Sequence, residues 1–183
     1  MKKLPFILVV FSSVFLTSCA QFYDESNNPQ FRPVASIQDI MLSIIDPNID
    51  FVWNAVTTIS TKEGIEEKVP ETDEDWREVK KHALVVLEAS NLLLIKGRNV
   101  AVEGVNTSTG GAELSAADIQ NLINSTRPEF NKRALVLHDA MQLVIAAIDK
   151  KDPEELIRTG GLVEQACEQC HSQYWYPNDK RPN

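Results

Sequence analysis

Two thiols and an imidazole stand together near the C-terminus, in the run Cys167-Glu168-Gln169-Cys170-His171. These are the residue types that covalent haem attachment requires. The two thiols add across the two vinyl groups of the porphyrin, and the adjacent imidazole turns to the iron. On a helix, a spacing of three brings Cys167 and Cys170 to the same side, and His171, four on from Cys167, shares it. The motif occurs once, so one covalent haem c is expected. A thiol-disulfide exchange pair, half of a zinc site and a chance spacing are the competing readings. An exchange pair should open a helix that follows a strand, whereas this one lies at the end of the last predicted helix. A structural zinc asks for four ligands, and the remaining histidines, His82 and His138, have no close companion in the sequence.

Thioether formation in bacteria takes place outside the cytoplasm, so the motif asks for export, and the other end of the chain has the form of an export signal. Lys2 and Lys3 make a basic start, Leu4 to Leu16 are mostly apolar, and Leu16-Thr17-Ser18-Cys19 follows. The apolar run is shorter than the roughly 20 residues of a membrane-spanning helix. Leu-Thr-Ser-Cys resembles the lipobox of bacterial lipoproteins. That resemblance implies removal of residues 1–18 and acylation of Cys19, which would tether the protein to a periplasmic membrane surface. Ala20 stands where an aspartate would resemble an inner-membrane retention signal, which favours the outer membrane. An ordinary secretory leader beside an unmodified cysteine is the alternative. Of three cysteines, a lipidated Cys19 leaves only the pair Cys167 and Cys170, and none for a structural disulfide. The net charge of −8 becomes about −10 once Lys2 and Lys3 leave with the signal. Such a surface argues against a nucleic-acid partner and would suit a basic redox protein.

The elements that must position the motif are helical. Residues 19–35 contain Asn27-Asn28-Pro29 and no apolar periodicity, which reads as a flexible tether. Ser36 and Asp39 have the form of a capping box, and Ile37, Ile40, Met41, Ile44 and Ile45 recur on one helical face. Pro47 interrupts that face, but Ile49, Val52, Trp53 and Val56 resume it, so one kinked helix is expected. The charged stretch up to Pro70, with Gly64, reads as a connection. Thr72 and Asp75 open a second helix, from about Asp73 to Ile95, stopped by Gly97. Ser115 caps a short helix ending near Thr126. Pro128 starts a third long helix, with Phe130, Ala134, Leu137, Met141, Val144 and Ile148 on its apolar face. Asp152, Pro153 and Glu154-Glu155 open the last one. No convincing alternating strand is present. The fold class is therefore all-α, an antiparallel four-helix bundle over residues 36–177 with the haem on its C-terminal helix, and a tail at 178–183.

Ile40-Met41-Leu42-Ser43-Ile44-Ile45-Asp46-Pro47-Asn48-Ile49-Asp50-Phe51-Val52-Trp53, followed far downstream by Cys167-Glu168-Gln169-Cys170-His171 and Tyr174-Trp175-Tyr176-Pro177, resembles the cytochrome c-prime superfamily. The resemblance implies a haem buried among four helices, His171 as one axial ligand of the iron, and Met41 as the second ligand, as in low-spin relatives. It also implies a choice of function. Low-spin members transfer electrons, whereas high-spin members leave the sixth site open to nitric oxide or carbon monoxide. Homodimers that pair through the first two helices are a further implication. Met41 as a mere core filler is the alternative, and Met141, in the middle of a row of core positions, is the rival ligand. Trp53 and Trp76 are expected to fill the core, with contact to the haem edge as the alternative, the aromatic cluster around Trp175 to cap the bundle or wrap the haem, and Arg98 to be solvated or to meet a haem propionate. Nothing in the sequence has the form of an acid and base pair around a substrate, so an electron carrier rather than an enzyme is expected.

Overall fold

A computed structural model describes residues 31–179 except 63, 106 and 107. The leader at 1–18 and Cys19 lie outside the described residues, as does most of the stretch read as a tether. No described helix is long and apolar enough to cross a membrane.

The first helical passage consists of α1 (Ile37–Ile40), a π-helical turn (Met41–Ile45) and α2 (Asp46–Asn54). The Ser36 hydroxyl accepts from the Asp39 backbone N–H while the Asp39 carboxylate accepts from the Ser36 N–H, the reciprocal box that occupies free donors of a first turn. Two more of those donors are met from elsewhere: Ile37 N–H bonds Asn99 O at 2.8 Å and Gln38 N–H bonds Val100 O at 2.9 Å. Where a kink at Pro47 is expected, the passage continues helical and contains the π turn just upstream. Proline has no N–H for the carbonyl of Ser43, four residues back, and its ring would press on that carbonyl in a regular helix. Widening the turn avoids both problems, and the Asp46 N–H reaches Met41 O instead.

Three long helices complete the bundle: α3 (Asp73–Leu93), α5 (Arg127–Asp149) and α6 (Pro153–Tyr174), with the short α4 (Ala116–Ser125) in the connection before α5. Thr72 and Asp75 form the second capping box, Ser115 caps α4 and Asp152 caps α6. Helix α5 packs on both α3 and α6, and α2 packs on α3. The core is formed by residues at three- and four-residue spacing, among them Ile45, Ile49 and Val52; Val79, Ala83 and Val86; Leu137, Met141 and Val144; and Leu156, Val163 and Ala166.

Two expectations need correction. The connection before α3 contains a two-stranded antiparallel hairpin, β1 (Thr57–Ser60) and β2 (Ile65–Lys68), with Ile59 opposite Glu66. Neither of its faces is buried, so no apolar alternation marks it in the sequence. Arg98 is neither solvated nor at the cavity described below. It is buried, its Nε donates to Leu92 O at 3.1 Å and its Nη1 donates to Ala35 O, which ties the end of α3 to the start of α1. Burial holds its guanidinium below the ordinary pKa.

Candidate haem site

Between the first helical passage, α5 and α6 lies a cavity of about 320 Å³, within the range of roughly 300–1,000 Å³ typical of small-molecule pockets. Helix α6 contributes Ala166, Cys167, Cys170 and His171 to its wall. These positions recur every three or four residues, so they share one face of the helix. The facing wall is Met41, Ile45, Asp46, Ile49, Asp50 and Trp53, and α5 adds Phe130, Arg133, Ala134 and Leu137, with Leu93 from the end of α3.

Cys167 and Cys170 both carry free, half-buried thiols. Burial pushes Cys167 up to about 11, with Asp46 adding to the rise. Burial and then the neighbouring Cys167 push Cys170 up to about 12, against a smaller opposing pull from Arg133. Both are therefore neutral thiols at physiological pH, not the thiolates that redox exchange uses. Burial also holds the His171 imidazole below its ordinary pKa, opposed first by Asp46 and then by Glu168. A neutral ring keeps the lone pair that a metal ligand needs. Asp46 is displaced upward, chiefly by its own burial, while His171 pulls it down and Asp50 pushes it up. Among the described residues, no three His, Cys, Asp or Glu side chains converge as the ligands of a single ion would.

The end of α6 is secured on both sides of the motif. Arg133 donates from Nε to Gln173 Oε1 at 2.8 Å and from Nη1 to Gln169 Oε1 at 2.9 Å, bracing the turn that holds Cys170. Trp175 and Tyr176 flank His171, with ring centroids 6.0 and 6.5 Å away. The Tyr176 hydroxyl donates to Glu168 at 2.6 Å. Tyr174 instead turns into the core, edge-on to Phe130 at 5.4 Å, with its hydroxyl 3.1 Å from that of Thr126. The aromatic cluster thus divides, with Tyr174 capping the bundle and its two successors standing beside the histidine.

All four residues singled out for the haem within the described part, Cys167, Cys170, His171 and Met41, line this one cavity. Met141 does not; it is fully buried in the core. His82 and His138 also lie away from it. His82 sits by Asn48 and Glu78, and His138 by Ser90 and Leu87 O. Trp76 is a core residue as expected, but Trp53 is part of the cavity wall, and its Nε1 donates to Gly160 O at 3.2 Å. That approach depends on Gly160 having no side chain, since a Cβ there would lie 3.2 Å from the indole. Arg133, Asp46 and Asp50 were not singled out from the sequence. The signal for Arg133 was its place between Phe130, Ala134 and Leu137 on the inward face of α5.

The donor set fits a covalently held haem: two neutral thiols and an imidazole on one face, a thioether sulfur on the wall opposite, and largely apolar surroundings. The fold and cavity together define a four-helix bundle with a cofactor-sized chamber between facing helices. A solved structure of cytochrome c' is similar to this chain with a TM-score of 0.51 and 18% sequence identity, over 78% of this chain and 99% of that one. At that identity the likeness establishes the all-α bundle fold. No protein-family model and no curated protein sequence matches the chain.

Proposed function

We propose that this chain is a monohaem c-type cytochrome that carries single electrons. Haem c would be fastened by thioethers to Cys167 and Cys170, with His171 and Met41 as the axial pair. The observation that carries this reading is the convergence of those four side chains, which come from opposite ends of the domain, on one apolar cavity. A bound haem would supply a one-electron redox centre, and ligation by a methionine together with the histidine would raise its potential. The chain supplies the rest. Ile45, Ile49, Phe130 and Leu137 exclude water, Arg133 braces the attachment turn, and the burial of His171 keeps its imidazole neutral. In keeping with this role, the reading includes export to the periplasm, tethering of acylated Cys19 to a membrane surface with the outer membrane favoured, exchange with redox protein partners, and no catalysed bond-making.

Electrospray mass and visible spectra of the protein matured in a host with haem-attachment machinery test this. The expected result is one haem mass above the polypeptide, a Soret band, and a low-spin reduced spectrum indifferent to carbon monoxide. A polypeptide with no added haem refutes the haem reading. A high-spin spectrum that responds to carbon monoxide replaces electron transfer with gas binding, a reading that draws on the position of Met41 in a π turn, where one residue of register separates two placements of its side chain.

A further inference from the structure

We propose that Asn48 is a positioning residue for the sixth ligand: it latches the π turn that presents Met41 to the cavity. The inference rests on Met41 being an iron ligand, as read above. Met41 is the first residue of the turn, and its carbonyl accepts the Asp46 N–H across it. Widened turns of this kind are rare and often mark functional sites, because they set the register of the two helix segments they join. Reverting to regular α-helix would alter that register by one residue, about 100° around the axis, and would turn Met41 away from the wall it shares with Ile45 and Ile49.

Pro47 disfavours that reversion but does not hold the turn in place, because it has no donor to offer. Asn48 does hold it. Its side-chain Nδ2 donates to Ile44 O at 2.7 Å, so a side chain occupies a carbonyl inside the widened turn. With Nδ2 so engaged, Oδ1 is the acceptor for the His82 Nδ1–H at 2.6 Å. His82 is itself fixed on α3, with Nε2 3.3 Å from Glu78 and its ring stacked on Phe51 at 3.9 Å and 19°. The upstream end is anchored independently by the Ser36 box and the bonds from Ile37 and Gln38 to the loop after α3. The π turn is therefore clamped between two fixed points, and Asn48 is the downstream clamp.

The holoprotein carrying Asn48→Leu tests the proposal, beside Asn48→Asp, which keeps the acceptor for His82 but sets a carboxylate against the Ile44 carbonyl. His82→Phe keeps a ring against Phe51 and removes the donor. The readouts are the sulfur-to-iron charge-transfer band of the oxidised form and carbon monoxide binding by the reduced form. Losing a bond of ordinary net strength should raise the carbon monoxide-accessible fraction by about fivefold, with a weakened charge-transfer band, in both Asn48 variants and less strongly in His82→Phe. Thr72→Ala, which uncaps the start of α3 and touches neither clamp, should lower the unfolding midpoint and leave both readouts unchanged. If Asn48→Leu fails to accumulate, Asn48→Asp and His82→Phe carry the same comparison. Wild-type band and carbon monoxide response in the Asn48 variants, with both altered in Met41→Ala, overturn the latch alone. A band unchanged in Met41→Ala overturns the ligand assignment and the latch with it.

Discussion

Gly160 and Gly161 are adjacent in α6, yet alanine at the two positions should act with opposite sign. In a helix interior, glycine to alanine is worth about 1 kcal/mol of propensity. At Gly161 nothing lies within 4 Å of an added Cβ, so Gly161→Ala should stabilise by about 0.5–1 kcal/mol. At Gly160 the Cβ would meet Trp53 Cδ1 at 3.2 Å and Nε1 at 3.3 Å. The indole must retreat, which stretches its 3.2 Å bond to Gly160 O. Losing that bond costs about 1 kcal/mol, and overpacking a closely fitted contact costs about 1–3 kcal/mol more. The propensity gain offsets part of this, leaving Gly160→Ala destabilised by about 1–3 kcal/mol. Urea unfolding followed by far-ultraviolet circular dichroism should place the two midpoints about 1–2 M apart, given a denaturant slope of about 2 kcal/mol/M. Because Trp53 lines the cavity, Gly160→Ala should also shift the Soret circular dichroism, while Gly161→Ala should not. Equal stabilisation of both variants would refute the close-approach argument.

Met141→Ala should destabilise by about 2–5 kcal/mol, as expected for a fully buried side chain, and leave the iron's spin state unchanged; a visible spectrum beside a thermal melt checks both. In the haem-free chain, alkylation of Cys167 and Cys170 near neutral pH should be slower than for free cysteine and should keep rising beyond the pH at which free cysteine levels off, toward the values of about 11 and about 12 to which burial pushes them, as read by mass after timed iodoacetamide exposure. The carboxyls of Asp39 and Asp75 are held below 3.8 by hydrogen bonds from the Ser36 and Thr72 caps. Their contribution is complete above pH 3.8 and is lost as pH falls through their lower folded-state values. The gap between the unfolding midpoints of the wild type and a Thr72→Ala variant should therefore narrow as pH falls through the folded-state value of Asp75, where the Thr72 hydroxyl loses its bond to that carboxylate, without closing, because the same hydroxyl still accepts from the Asp75 N–H.

The helices and their ends were legible in the sequence because capping boxes, an N-terminal proline and a 3.6-residue apolar repeat are local signals. Ser36 with Asp39, Thr72 with Asp75 and Asp152 with Pro153 each mark a helix start that the structure contains. The attachment motif was equally local, since its spacing alone puts Cys167, Cys170 and His171 on one side of any helix. The hairpin at Thr57–Ser60 and Ile65–Lys68 escaped notice because its strands bury neither face, so its backbone pairing leaves no trace in hydrophobic pattern. Arg98 was misplaced because what holds it, Ala35 O, comes from far along the chain, and the choice of the cavity wall for Trp53 likewise depends on the distant Gly160 O. The sequence by itself determined which residues are helical, where those helices begin and that Cys167, Cys170 and His171 share one helical face. Only the tertiary structure decided that Met41 rather than Met141 faces the cavity, because both occupy apolar helical positions and a helix's own periodicity cannot tell a packed neighbour from an open space.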